Sequence, residues 1–491
     1  MKHIAVIGAG VSGMTAAIYC LKSGFDVTVY EKHSHGGGLC SGWKRNGYSF
    51  EGAVHWINDS AVTDPIYRLW HDTGILGDGV KTFRSDPYFV YDYDGTKVSI
   101  CRDIDKLKAH FLEISPRDKK VIERLYKDVQ AVRKLKIPLF DIPGLKTGNK
   151  NNLDIPLLLK MLPAVLILGR LSKYSAKEYA ERFSHPGIRK VLGEFVVYEK
   201  FSSLSLLHTM ACYMDSGVYP EGGSLELGRR MTEKIKALGG NMVFNTKVDA
   251  VIFNGKTAGG IEAAGEKIPY DAVIVTQDLL TVKNLLGSQP GDRWIRAARY
   301  DPPVQTTFAS IGVRDDLRDL PFAFAFDDDI SVGGFRYDYI ALTNYAEHTN
   351  YAPPGCSSLT CSFTGDSYAY WKEQKENGTY DLKKNQLAGE LRQIIEKHMP
   401  RLKDKIEVIN IATPLTYERY TGSYKGAWMT VLLKNKTTSL PRSLPAAYKH
   451  LYFAGFRTKA PGGLPIAVIS GYKAAQYACR DFKMVFEGSR K

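Results

Sequence analysis

Gly8, Gly10 and Gly13 stand in the order G-x-G-x-x-G, and an acidic residue, Glu31, lies eighteen positions after the last of them. Glycines at that spacing let a chain turn sharply, let its backbone approach a bulky anion, and let the next helix pack closely on a strand. Backbone N–H groups at the start of a helix then face the anion, while a carboxylate at the end of the second strand accepts ribose hydroxyls. The chemistry that suits this set is dinucleotide binding, with pyrophosphate on the glycines and an unphosphorylated ribose on Glu31. Ser12, inside the motif, and Lys32, beside Glu31, belong to the same candidate set.

Such residues need particular elements to hold them. The apolar run Ile4 to Ile7 predicts a strand, the stretch to about Lys22 a helix, and Val27 to Tyr30 a second strand. An ordinary glycine-rich turn would not carry strand, helix, strand and acid in that register. Both NAD and FAD satisfy the pattern. Three consecutive glycines shortly after Glu31, at Gly36, Gly37 and Gly38, separate the two.

Here the chain resembles the large FAD-dependent family that contains amine oxidases, phytoene desaturases, carotenoid isomerases and retinol saturases. Their second strand is followed by an acid, a few residues and Gly-Gly. Gly37 and Gly38 match that pair and Gly36 is an extra member. Leu39 stands where the family usually carries an Arg or Lys that pairs with the diphosphate, so that contact is absent or supplied elsewhere. Residues 219–278 resemble the family's middle block, which implies that the backbone of Val248 lies against the adenine. Residues 451–475 resemble its last strand, flavin-facing turn and closing helix. By that match Gly455 lies by the ribityl chain or diphosphate, and Gly463, Leu464, Pro465 and Ile466 lie at the pyrimidine edge of the flavin.

The resemblance implies an α/β fold, in which a Rossmann-like FAD-binding domain of the GR2 type, similar to p-hydroxybenzoate hydroxylase, is interleaved with a mixed α+β substrate domain. The FAD-binding parts are expected at 1–61, 211–283 and 446–491, a helical substrate or membrane-facing region at 62–210, and the mixed sheet of the substrate domain at 284–445. Runs such as TTFASIGVRDDL, RYDYIALTNYAEH and SLTCSFTG supply the β-rich material for that sheet.

The stretch SFEGAVHWIND places Gly52, His55 and Trp56 in an order that resembles retinol saturases more than phytoene desaturases or amine oxidases. His55 is expected beside the flavin, as a proton donor or acceptor at a reacting double bond or as a packed histidine with no chemistry. In ATPLTYERYTGSYKGAWM, Thr413, Pro414, Thr416, Tyr420, Gly422 and Gly426 carry a further match. Tyr417, Tyr420 and Tyr424 are candidates to line a pocket or supply a proton, with Tyr420 the first choice. The implied activity is redox chemistry or isomerisation at a carbon–carbon double bond of an apolar isoprenoid or polyene, such as a carotenoid or retinoid, by hydride transfer at flavin N5. The electron donor or acceptor is left open. Two alternatives share the resemblance. A flavin amine oxidase would want an aromatic cage where Arg457 and Lys459 stand, and two cations there repel an amine. A lipid- or prenyl-binding protein of the GDP-dissociation-inhibitor type needs no intact glycine motif.

Length and composition frame these expectations. At 491 residues with 44% hydrophobic and 24% charged residues, the chain has ample core for two interleaved domains. The seven cysteines form no C-x-x-C pair and no Cys/His cluster at metal spacing, so neither a disulfide scaffold nor a metal site is expected. The first strand starts by residue 3, too early for a signal peptide, and the expected location is cytoplasmic, with peripheral membrane contact. Of the net charge of +14, residues 117–177 carry +9, from fourteen Lys and Arg against five Asp and Glu. No nucleic-acid motif accompanies that charge. It flanks an almost wholly apolar run, Ile155 to Leu168, broken by Pro156, Lys160 and Pro163 and too short to cross a bilayer. The run reads as an apolar hairpin, with residues 150–175 either lining a substrate tunnel or lying in an anionic membrane interface.

Overall fold

The computed structural model describes residues 1–147, 155–195, 200–287, 303–436, 444–445, 448–459 and 461–488. The strand His3–Ile7 is apolar on both faces because it lies in the middle of a sheet. Asp26–Tyr30 pairs with it in parallel on one side and Ala272–Val275 on the other. Asn241–Val243 and Leu451–Phe453 extend the sheet outward in parallel, and Leu444–Pro445 closes one edge antiparallel. The helix Val11–Lys22 starts at Gly10, which offers no side-chain cap, so the first-turn N–H groups stay free for a ligand. On this helix lies the C-terminal helix Leu464–Asp481, close enough that a Cβ on Gly471 would stand 2.2 Å from the carbonyl oxygen of Ser12. A three-stranded antiparallel sheet, Val248–Asn254, Thr257–Ala263 and Glu266–Pro269, covers the other face. This is the expected α/β Rossmann-like arrangement, assembled from three distant stretches of chain.

The second body is built on a seven-stranded mixed sheet in the order Ile406–Ala412, Thr306–Val313, Ser357–Thr364, Phe335–Asn344, Ala323–Val332, Phe89–Tyr93, Thr96–Ile100. The three β-rich runs read from the sequence are its central strands. Its last two strands come from the first insertion, so the sheet is shared between the two insertions and is not confined to residues 284–445. The join is the parallel pairing of Ala323–Ala325 with Phe89–Tyr91. Beyond that hairpin the first insertion is mainly helical, with Ile104–Ile114, Lys119–Val132 and Ser203–Asp215 packed into one core.

The apolar run is a single helix, Ile155–Leu171, and not a hairpin. Pro156 occupies the first turn, where a missing N–H has no helical partner to lose. Pro163 sits inside the helix and costs it one hydrogen bond without ending it. Met161, Ala164 and Leu171 face inward, whereas Leu159, Leu162 and Leu166 are 65%, 49% and 75% exposed. No described helix is long and apolar enough to cross a membrane. The part of the expected membrane-facing segment at 150–154 lies outside the described residues.

Candidate cofactor and substrate site

The glycine loops meet face to face. Gly8 has φ of +101°, and a Cβ there would lie 2.6 Å from Oγ1 of Thr276. The Gly37 N–H donates to the Ala9 carbonyl at 2.8 Å, and a Cβ on Gly38 would approach the Cα of Gly10 to 3.0 Å. Gly36 is pressed against Met14 and Thr232, and a Cβ on Gly228 would lie 2.6 Å from its carbonyl oxygen. Each of the three consecutive glycines thus has a packing reason of its own. Gly10, by contrast, has nothing nearer its Cβ direction than 4.0 Å, which leaves its outer face open. A cradle of bare backbone results, where N–H groups and a helix start can meet a diphosphate.

Glu31 is buried beside this cradle. One carboxylate oxygen accepts the Ala9 N–H at 2.9 Å and the other accepts the His33 N–H at 3.0 Å, leaving the second lone pair of each for a ribose. Lys32 donates to the Arg419 carbonyl at 3.0 Å, and burial lowers its pKa. On the far side the Gly455 N–H donates to the Ser470 hydroxyl at 2.9 Å, and Gly463 opens the C-terminal helix. One continuous cavity of about 1350 Å³ is lined by Gly8, Gly10, Ser12, Glu31, Lys32, Gly37, Gly38, Leu39, His55, Val248, Tyr420, Gly455 and Gly463 to Ile466. Gly13 is off its wall: a Cβ there would lie 2.1 Å from the Gly8 carbonyl oxygen, so its part is packing helix on strand. The volume exceeds the roughly 300–1,000 Å³ of an ordinary ligand pocket, as a dinucleotide plus a second ligand requires. These residues fit FAD: the cradle accepts a diphosphate that a side chain at Gly10 would displace, while a side chain at Gly38 would push the two loops apart.

His55 is held by a residue that sequence reasoning did not single out. The buried Glu51 carboxylate accepts the N–H groups of Ala53 and Val54, both at 2.9 Å, and that of Ser224 at 2.9 Å. It also accepts the hydroxyls of Tyr219 at 2.6 Å and Tyr351 at 3.1 Å, and a short contact from the Ser224 hydroxyl. The turn carrying His55 is fixed from beneath by this network. His55 Nδ1 is buried with no hydrogen-bond partner among the described residues. Burial lowers its pKa, with Glu51 pulling partly the other way, so the ring is neutral at physiological pH and can accept a proton.

Tyr420 does not join His55. Half exposed, it lies beside His33 with ring centroids 5.5 Å apart, at the Glu31 end of the cavity. Tyr417, one turn earlier in the helix Pro414–Thr421, instead shares with His55 the wall of a small side cavity. Burial raises the Tyr417 pKa and keeps its hydroxyl protonated. Tyr424 enters through its backbone, its N–H donating to Asp278 at 3.0 Å.

Arg457 does not face the cavity as a free cation. Its guanidinium is paired with Asp278 and both are buried. Lys459 does line the cavity, and burial lowers its pKa to about 8. From Lys459 and His55 an arm of the cavity runs between Trp56, Tyr88, Phe140, Phe195, Phe201 and Leu204 to Leu158 and Val165 of the exposed apolar helix. Behind it, Lys136 is surrounded by Asp64 at 2.8 Å and by Asp59 and Asp215, each at 3.9 Å. Several of the cations read as a basic patch are therefore committed to ion pairs among the described residues: Arg124 and Arg170 to Asp128, Arg133 to Asp215, and Lys136 to Asp64. Among the described residues no cluster of metal-ligating side chains occurs.

Comparison with known proteins places this geometry. Residues 11–479 match the model of the flavin containing amine oxidoreductase family. The chain is 22% identical over 492 residues to a 1-hydroxycarotenoid 3,4-desaturase of a Flavobacterium species, covering 96% of this chain and 97% of the relative. It is 23% identical over 513 residues to the lycopene-forming phytoene desaturase of Pseudescherichia vulneris, covering 98% and 100%. Among solved structures, a mutant of putrescine oxidase superposes with a TM-score of 0.63 at 16% identity, covering 97% of this chain and 99% of that one. An oxidoreductase from Methanosarcina mazei gives 0.57 at 16% identity over the same shares.

Proposed function

The chain belongs to the flavin containing amine oxidoreductase family and is an FAD-dependent oxidoreductase, and from that premise we propose that it acts on a carbon–carbon double bond of an apolar isoprenoid or polyene. The single observation that carries this reading is the cavity, which runs unbroken from the glycine cradle past His55 into an arm walled by aromatic and aliphatic side chains. Bound FAD supplies the two-electron chemistry at that junction. The chain's own part is to hold the substrate, exclude water and manage the proton. The apolar arm takes an extended hydrocarbon and sheds its water. His55, kept neutral by burial and with its turn held by the Glu51 network, takes or returns the proton at its imidazole ring as the neighbouring carbon changes. Tyr417, with its hydroxyl protonated, completes the polar rim. Desaturation, saturation and isomerisation all use this arrangement and differ in electron flow.

Peripheral contact with an anionic membrane belongs to the same reading. Leu158 and Val165 line the arm and are also 36% and 47% exposed, so one helix forms the wall of the cavity and an apolar patch on the surface. A lipophilic substrate then passes from the bilayer without crossing water, and the surrounding lysines hold the patch to anionic headgroups. The carotenoid substrates named for two relatives support this substrate class.

The test is anaerobic. Reduced holoenzyme is mixed with phytoene and, separately, with retinol, while flavin absorbance is followed and the lipid is analysed by chromatography; the oxidised holoenzyme is tested likewise. A saturated, desaturated or isomerised product is expected in one arm. If no lipid changes and the flavin never changes redox state with any of them, the reading fails.

A further inference from the structure

The apolar arm contains one charge that the protein does not balance. Carboxylates on the cavity wall are few among the described residues: Glu31 at the ribose end, and Asp278, which is tied to Arg457. Lys136 reaches the wall, but three aspartates surround it. Lys459 has no ion-pair or side-chain hydrogen-bond partner among the described residues, although its backbone is pinned by the Thr430 hydroxyl, which donates to its carbonyl at 3.0 Å. An ammonium facing an apolar cavity carries a desolvation cost that only an anion can offset. Near it on the wall is His208, whose pKa is pushed to about 4 by burial and then by the charges of Lys136 and Lys459. It is neutral at physiological pH and has one N–H to give. Cys212, at 3.6 Å, is its other neighbour.

We propose that Lys459, with His208 beside it, is an anion-receiving site within the apolar arm, and that the ligand it selects is a long apolar chain ending in a carboxylate. The proposal rests on the reading that the arm holds the substrate chain, and it narrows that class from hydrocarbons to lipophilic acids. Charge-assisted hydrogen bonding to the ammonium fixes one end of the chain, and the distance from that end to His55 selects which double bond reacts. At pH 7 a lysine with a pKa of about 8 is about nine-tenths protonated, so the site is ready to bind.

The probes are all-trans-retinoic acid and all-trans-retinol, two ligands with the same polyene and different ends, titrated into holoenzyme by fluorescence quenching. The acid is expected to bind about ten-fold tighter at pH 7. That preference should vanish in Lys459→Met and persist in Lys459→Arg, with flavin content unchanged in both. In the unmodified protein the acid's affinity should fall as pH rises through about 8, while the alcohol's stays level. This arm decides the matter even where Lys459→Met does not fold. Equal affinity of acid and alcohol, with no pH dependence, overturns the carboxylate site and leaves the polyene reading standing. Binding of neither overturns both. Loss of flavin from Lys459→Met and Lys459→Arg alike, in folded protein, assigns the lysine to the cofactor and overturns the proposal.

Discussion

The Arg457 guanidinium meets the Asp278 carboxylate through two parallel hydrogen bonds, 2.7 and 2.9 Å long, with both side chains almost fully buried. The same carboxylate accepts the N–H groups of Leu280 and Tyr424, each at 3.0 Å. It therefore ties together the turn after the strand Leu451–Phe453, the loop after the strand Ala272–Val275 and the segment that follows the helix carrying Tyr417. Removing one partner leaves a buried charge uncompensated. Arg457→Met should lower stability by about 3–5 kcal/mol, and adding Asp278→Leu should recover part of that loss. Urea unfolding of the single and double variants measures the coupling.

The cradle makes a sharper distinction. Gly38→Ala forces a Cβ within 3.0 Å of Gly10 at a φ of +62°, so both folding and flavin content should suffer. Gly10→Ala meets nothing among the described residues closer than 4.0 Å, and should fold normally yet purify without flavin. Leu39→Arg restores a cation beside the cradle and should keep or tighten FAD binding. Circular dichroism paired with flavin absorbance reads all three.

His55→Gln should retain flavin and lose about 10²–10⁴-fold in turnover, the usual worth of a positioned acid or base. Tyr420→Phe, on the half-exposed tyrosine beside His33, should change neither flavin content nor turnover. Steady-state rates with the substrate found by the anaerobic test compare the two.

Leu159→Glu combined with Leu166→Glu places charges on the most exposed part of the apolar helix. Co-sedimentation with phosphatidylserine-containing vesicles should drop to background, while binding of the unmodified chain should weaken in high salt without vanishing. Retention of binding by the double variant would move the membrane contact elsewhere.

Asp59 gives a pH signature. Burial raises its pKa from 3.8 to about 6, with Lys136 opposing and Asp64 adding to the rise. Between those values the folded chain binds the proton more tightly than the unfolded one, so this group's contribution is fully present below about pH 4 and lost as pH rises through 6. Asp59→Asn should therefore flatten the stability profile between pH 4 and 6 and stabilise the protein at pH 7 by up to about 3 kcal/mol. Denaturant midpoints at the two pH values test it.

The cofactor half of the site was legible because its signal is local. Glycine spacing, Glu31 and the triple glycine each report a backbone constraint imposed by near neighbours, and even the extra Gly36 has a partner in Gly228. The half around His55 was less so. Glu51 is one acid in an apolar stretch, and its meaning depends on Tyr219 and Tyr351, 168 and 300 positions away. Arg457 read as a cavity cation because Asp278, 179 positions earlier, is invisible to spacing. Choosing Tyr417 over Tyr420 required knowing which turn of a short helix reaches the wall shared with His55, and the apolar hairpin became one helix because Pro163 is tolerated within it.

The order of strands in the parallel sheet also sets a timetable for biosynthesis. The glycine loop after His3–Ile7 leaves the ribosome well before its sheet neighbours Ala272–Val275 and Leu451–Phe453. The helix Leu464–Asp481, which covers Val11–Lys22, comes later still. At about 5–20 residues per second, the nascent loop waits roughly half a minute to a minute and a half for the strand that completes its sheet. The sheet beneath the cradle is therefore complete only once residues 451–453 have been made. Until that moment the edge of Ala272–Val275 that Leu451–Phe453 later covers has no partner strand, the kind of open apolar edge that invites wrong pairing.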